Sequence, residues 1–213
     1  MTDTHTPPPS GRTRLPLFVG GAIALAAIAA IAILLIARGG DDRTDLRAPF
    51  TGPVIDAPAT TGTNYDGRRI SLPRAGKPGL VTFLYTECPD ICPAITATIR
   101  QALEDAGPGG KDIDVTAISV DPKGDTPASV TRFLTKFGMR GRMNYLVGTR
   151  AQLEPIWKSW MIAGQPDDQN VSAHSATIVL VDRDGRQVGR YPAGIQVPIA
   201  DLAADIATLT AQK

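Results

Sequence analysis

Two cysteines and two histidines are a short inventory in this 213-residue chain, so their positions matter more than their number. Cys88 and Cys92 stand in the segment ECPDICP, directly after the apolar run LVTFLY, while the histidines are His5 and His174. His5 lies in a Thr/Pro-rich tail ahead of a long apolar segment, which leaves two cysteines and one histidine for chemistry in a folded part. Where a buried strand gives way to a helix, cysteines with this spacing share one face of the helix N-terminus. Unpaired backbone N–H groups and the positive end of the helix dipole there favour thiolates, the form that binds metals and attacks disulfides. Glu87 and Asp90 oppose this by like charge, which leaves the direction of the thiol pKa open.

A structural disulfide is the bland reading of two cysteines in an exported protein. Here the enclosed loop is so short that chain entropy supplies only about 2 kcal/mol, a weak staple. With 43% hydrophobic and 20% charged residues the domain has a core of its own and does not need one. Reversible thiol or metal chemistry is the favoured reading, with inert buried thiols a minor alternative. His174 stands at the entry to an apolar strand, where a lone histidine is more often a loop or core residue than a ligand. It becomes a ligand only if the fold carries it to the cysteines.

The elements around these residues follow from periodicity. Leu15 to Ala37, LPLFVGGAIALAAIAAIAILLIA, is a nearly unbroken apolar run long enough to cross a bilayer, and predicts a single membrane anchor behind a tail over 1–14. A cleaved signal peptide is the alternative, weakened by the length of the run and by Arg38-Gly39-Gly40-Asp41 after it. Arginines flank the run on both sides, so charge does not orient it. Residues 38–63, rich in Gly, Pro, Thr, Asp and Ala, read as a flexible linker, and 64–213 as one domain. Within it an Asp66-Gly67 turn precedes Arg69 to Leu72, and LVTFLY is a buried central strand. Helical spacing runs from Ala94 to Asp105, from Pro127 to Phe137 behind an Asp125 or Thr126 cap, through Leu153, Ile156, Trp157 and Trp160, and from Val197 to Thr210. Strands are expected over Ile113 to Val120, Asn144 to Val147, Ala176 to Val181 and Gln187 to Tyr191. Alternating strands and helices give an α/β sheet. Asp121 and Asp125 read as braces of the DPKGDTP loop, and the two tryptophans as core. Lys+Arg 22 against Asp+Glu 21 leaves no charge footprint for nucleic acid.

Four stretches together resemble the Sco/SenC family of membrane-tethered copper chaperones. FLYTECPDICP resembles its Tyr-Thr-x-Cys-Pro-Asp-x-Cys-Pro motif, ISVDPKGDTP its Ser-Val-Asp-Pro-x-x-Asp-Thr-Pro segment, AHSATIVLVDRDG its His-Ser segment with Leu-Val-Asp-x-x-Gly, and the apolar run its N-terminal helix. The resemblance implies a thioredoxin-like central sheet flanked by helices, preceded by a single transmembrane helix. It also implies copper, Cu(I) or Cu(II), on Cys88, Cys92 and His174, with Cys88 and Cys92 forming a redox-active disulfide that switches the site off. The implied location is the cell membrane, single-pass, with the domain on the extracytoplasmic side. The implied task is delivery of copper to the dinuclear centre of cytochrome c oxidase, with the oxidase's copper-containing subunit as partner and a thiol reductase as a further one. Such a protein is a metallochaperone rather than an enzyme. The rival, a thiol–disulfide oxidoreductase acting on exported or oxidase cysteines, uses the same thiols without the histidine. A peroxiredoxin-like peroxidase lacks its Pro-x-x-x-Thr-x-x-Cys context here. Zinc is the rival metal, since two cysteines and a histidine with an open position also describe a catalytic zinc site.

Overall fold

The computed structural model describes residues 28–31, 46–162, 176–192 and 194–212. The chain divides into two units, residues 1–42 and 43–213. Of the first, only the helical residues 28–31 are described, and the expected anchor over Leu15 to Ala37 otherwise lies outside the described residues. Among the described residues no helix is long and apolar enough to cross a membrane.

The second unit is built on one eight-stranded mixed sheet. In chain order its elements are β1 (Ile55–Asp56), β2 (Thr60–Asn64), β3 (Arg69–Leu72), β4 (Gly79–Leu84), α1 (Ile91–Asp105), α2 (Gly109–Asp112), β5 (Asp114–Ser119), α3 (Pro127–Lys136), β6 (Met143–Val147), α4 (Arg150–Ser159), β7 (Ile178–Val181), β8 (Arg186–Tyr191) and α5 (Ile199–Ala211). The strand order is β1-β8-β7-β4-β5-β6-β2-β3. β4, β5 and β6 run parallel, joined by helical crossovers, and the remaining pairs are antiparallel. Central strands must be apolar on both faces, and GLVTFL of β4 meets that demand. Leu80 and Leu84 pack with Ile95 and Ile99 of α1, Val130 and Leu134 of α3, and Leu202 and Ile206 of α5. Val81 and Phe83 turn the other way, onto Leu153 and Trp157 of α4 and onto Trp160. Both tryptophans are core, as expected, and each indole N–H finds an acceptor: Trp157 donates to the Ser119 carbonyl at 2.8 Å and Trp160 to the Thr60 hydroxyl at 2.8 Å.

The largest departure from expectation is the stretch read as linker through residue 63. The chain already packs on the fold at Leu46 and Ala48, Phe50 bridges Arg190, Ile55 and Asp56 pair with β8, and Thr60–Asn64 pairs with both β3 and β6. The contacts before Thr60 are one- and two-residue pairings at the β1 edge, too short to impose a hydrophobic period, and β2, though flanked by β6 and β3, is built from the polar TTGTN, which carries no apolar alternation. Gly189 permits the close approach of the first: a Cβ there would meet the Ala48 methyl at 3.0 Å. Smaller departures sit at element ends. α1 begins at Ile91 rather than Ala94, because Pro93 falls in the first helical turn, where a missing N–H costs nothing. After Gly107, whose φ of +58° closes α1, the Gly109–Asp112 turn is helical instead of irregular.

Candidate metal centre

The two cysteines sit where the parallel sheet gives way to α1. β4 ends at Leu84, Asp90 caps the helix by accepting the Ile91 N–H at 2.6 Å, and α1 starts at Ile91. Cys88 is therefore in the connecting loop and Cys92 is the second residue of the helix. Both are free thiols and both are buried, at 8% and 2% exposure, so their sulfurs lie under the surface rather than on it. The Cys92 N–H, one of the unpaired donors of the first helical turn, points at the Cys88 sulfur at 3.2 Å. The Cys92 carbonyl is taken by the Thr96 hydroxyl at 2.7 Å. Glu87, Pro89 and Asp90, which flank the cysteines in the sequence, are exposed.

Burial dominates the electrostatics. It pushes the Cys92 thiol well above its ordinary value; a backbone hydrogen bond from Tyr85 works against the shift, while Cys88 and the Asp125 carboxylate add to it. The Tyr85 phenol, close to both sulfurs, is pushed up for the same reason, burial first and Cys88 second. The helix terminus alone thus does not offset burial at Cys92.

His174 lies outside the described residues. Its sequence neighbourhood has a defined place, however: Ile178 pairs with Thr82 and Val181 with Gly79, so β7 starts at the sheet end where β4 finishes. Ala176 and Thr177, at the entry to β7, are buried there. Among the described residues no three His, Cys, Asp or Glu side chains form a metal-sized group.

Asp125, expected as a brace of its own loop, does that and more. Its backbone N–H donates to the Asp121 carbonyl at 3.0 Å, and Thr126, not Asp125, caps α3 by accepting the Ser129 N–H at 3.1 Å. The Asp125 carboxylate meanwhile accepts from the Thr86 N–H at 2.8 Å, the Ser119 hydroxyl at 2.6 Å and the Tyr145 hydroxyl at 2.9 Å. Asp121 holds the outer turn by accepting from the N–H groups of Lys123 and Gly124. An open groove of about 500 Å³ lies between Ile91, Ala94 and Ile95 of α1 and the Ile195–Ile199 segment, and neither cysteine lines it. A wider cleft, about 730 Å³, lies at the far end of α1 among Arg100, Glu104, Lys111 and Arg142, away from the sulfurs.

A family model described as SCO1/SenC matches residues 61–211. The chain is 26% identical over 158 residues to a SCO1 protein homolog of Bacillus subtilis, covering 72% of this chain and 82% of that one. It spans between 49% and 59% of the length of several other relatives. Among solved structures, Bradyrhizobium japonicum ScoI with copper bound superposes with a TM-score of 0.60 at 29% identity, covering 73% of this chain and 99% of that one. BsSco, described as a member of the Sco family of cytochrome c oxidase assembly proteins with a disulfide switch, superposes with a TM-score of 0.63 at 23% identity over 76% of this chain and 96% of that one. The sheet with its flanking helices is thioredoxin-like. With the matched region running from β2 through α5 and including both cysteines, the chain belongs to the SCO1/SenC family.

Proposed function

We propose that this protein is a membrane-anchored copper chaperone. The thiolates of Cys88 and Cys92, completed by the His174 imidazole, hold one copper ion on the extracytoplasmic side and pass it to the dinuclear copper centre of cytochrome c oxidase. The observation that carries this reading is the pair of free, buried sulfurs at the first turn of α1. Two thiolates and an imidazole suit copper, Cu(I) above all. The entry to β7, two residues beyond His174 in the sequence, lies at the same sheet end as the pair, which supports the histidine as third ligand. The apolar run from Leu15 to Ala37 supplies the anchor. ScoI with copper bound and BsSco, from a family of oxidase assembly proteins, support copper as the cargo and the oxidase as its recipient.

The same dithiol supplies an off state. Oxidation of Cys88 and Cys92 to a disulfide gives two electrons and two protons to an accepting disulfide and withdraws both sulfurs from the metal; a thiol reductase reverses it. The decisive variant is His174→Ala. Copper retention and oxidase activity in cells fall, added copper restores the activity by refilling a weakened site, and the dithiol still oxidises and reduces. A thiol–disulfide oxidoreductase, which needs only the sulfurs, would keep wild-type copper binding and wild-type oxidase activity in that variant.

A further inference from the structure

Three segments around the cysteine loop converge on one side chain. Asp125 is 4% exposed. One carboxylate oxygen accepts the hydroxyls of Ser119, at the end of β5, and Tyr145, in β6. Its backbone is tied into the turn before α3 through Asp121. Those contacts fix the carboxylate from the sheet side. The second oxygen accepts the Thr86 N–H at 2.8 Å, and Thr86 lies in the short connection between β4 and Cys88. A carboxylate can take all three donors at once because it is acceptor-only, whereas an amide of the same shape offers one acceptor oxygen.

We propose that Asp125 is a positioning residue for the cysteine pair. Through the Thr86 amide it sets where Cys88 stands relative to the first turn of α1, and hence the mutual placement of the two sulfurs that copper binding and disulfide formation both require. The metal half of this inference rests on the copper reading above; the dithiol half does not. Asp205 supplies an internal control. It is likewise buried and accepts a tyrosine hydroxyl and backbone N–H groups, but the segment it holds is Arg47–Ala48 and not the cysteine loop.

The test uses the full chain in detergent, as wild type, D125N, D125A, Y145F and D205N. One readout is the equilibrium in which the two thiols and one oxidised glutathione become the disulfide and two reduced glutathiones. The others are Cu(I) retention against a chelator and the Cu(II)–thiolate absorption band. D125N is expected to shift the glutathione equilibrium, move the band and weaken copper retention about tenfold to a hundredfold, the usual effect of losing a group that orients a metal ligand. Y145F, which keeps the charge and frees one tether of the carboxylate, is expected to move both in the same direction by less. D205N is expected to match wild type in all three. If D125N matches wild type in the glutathione equilibrium and the band, the proposal is overturned. A shift in D125N with Y145F at wild-type values would overturn it too, by assigning the effect to charge, and so would an equal shift in D205N. Where D125A fails to fold, D125N decides. Wild-type chain that takes up no copper removes the copper reading, and the glutathione equilibrium then judges Asp125 alone.

Discussion

Asp125 and Asp205 are the same device used on two different segments of the chain. Each is a buried carboxylate that takes a tyrosine hydroxyl, from Tyr145 at 2.9 Å and from Tyr191 at 2.6 Å, and a backbone N–H, from Thr86 at 2.8 Å and from Arg47 at 2.6 Å. In each case burial is the main cause of a carboxyl pKa above the usual range, with the hydrogen bonds pulling it back. What differs is the strand of chain being held. Asp205, on helix α5, fastens the point where the chain enters the fold; Asp125, on a braced loop, fastens the approach to Cys88. A perturbed buried carboxylate is therefore no mark of a site by itself. The Asp125 clamp matters chemically because thiols lie beyond it, and the Asp205 clamp serves attachment.

The comparison is broken or sharpened first by alanine. Asp125→Ala leaves two buried hydroxyls and an amide without their acceptor and is expected to cost about 3–5 kcal/mol, against about 2–3 kcal/mol for Asp205→Ala, which strands one hydroxyl and the Arg47 and Ala48 amides where the chain enters the fold. Urea unfolding of the two variants measures both. Equal losses would mean that the buried hydroxyls at Asp125 cost no more to strand than the amides at Asp205.

Removing only the hydroxyls is gentler. Tyr145→Phe and Tyr191→Phe each delete one hydrogen bond to a carboxylate and are expected to cost about 1.5–3 kcal/mol by the same assay. Only the first should disturb the Cu(II)–thiolate band.

The smallest effect is in pH dependence. Because the folded-state pKa of Asp205 is raised above its unfolded value of about 3.9, the native state holds its proton more tightly between the two. Its contribution to stability is fully present below the unfolded value and is lost as pH rises through the folded one. Asp205→Asn removes the titration, so the stability of that variant should fall less than wild type as pH rises across this window. A stability–pH curve parallel to wild type would show that the carboxylate is not desolvated as its burial suggests.

Much of this architecture is legible in the sequence where long apolar patterns exist. β4, α1, α3 and α5 announce themselves by run length or period, and the cysteine pair falls where they imply, at the junction of strand and helix. Two kinds of feature do not announce themselves. The pairings of residues 50–56 are short edge contacts, and β2, TTGTN, has no apolar period of its own although it lies between β6 and β3. The reach of Asp125 to Thr86 spans 39 positions and depends on the parallel register of β4 and β5. Asp205 did leave a trace: it occupies the stripe of Leu202, Ile206 and Leu209, where an acidic residue implies a buried partner. Tyr191 as that partner follows only from the three-dimensional packing.

The central claim is that Cys88 and Cys92 together hold copper. Its most direct test is the metal content of the full chain, reduced and loaded with Cu(I) under anaerobic conditions in the presence of a competing chelator, beside the Cys88→Ala, Cys92→Ala and double variants. The account predicts one copper per wild-type chain and loss of chelator-resistant copper in every variant, because one thiolate with an imidazole is an incomplete soft site. One tightly held copper per chain in the double variant would contradict it.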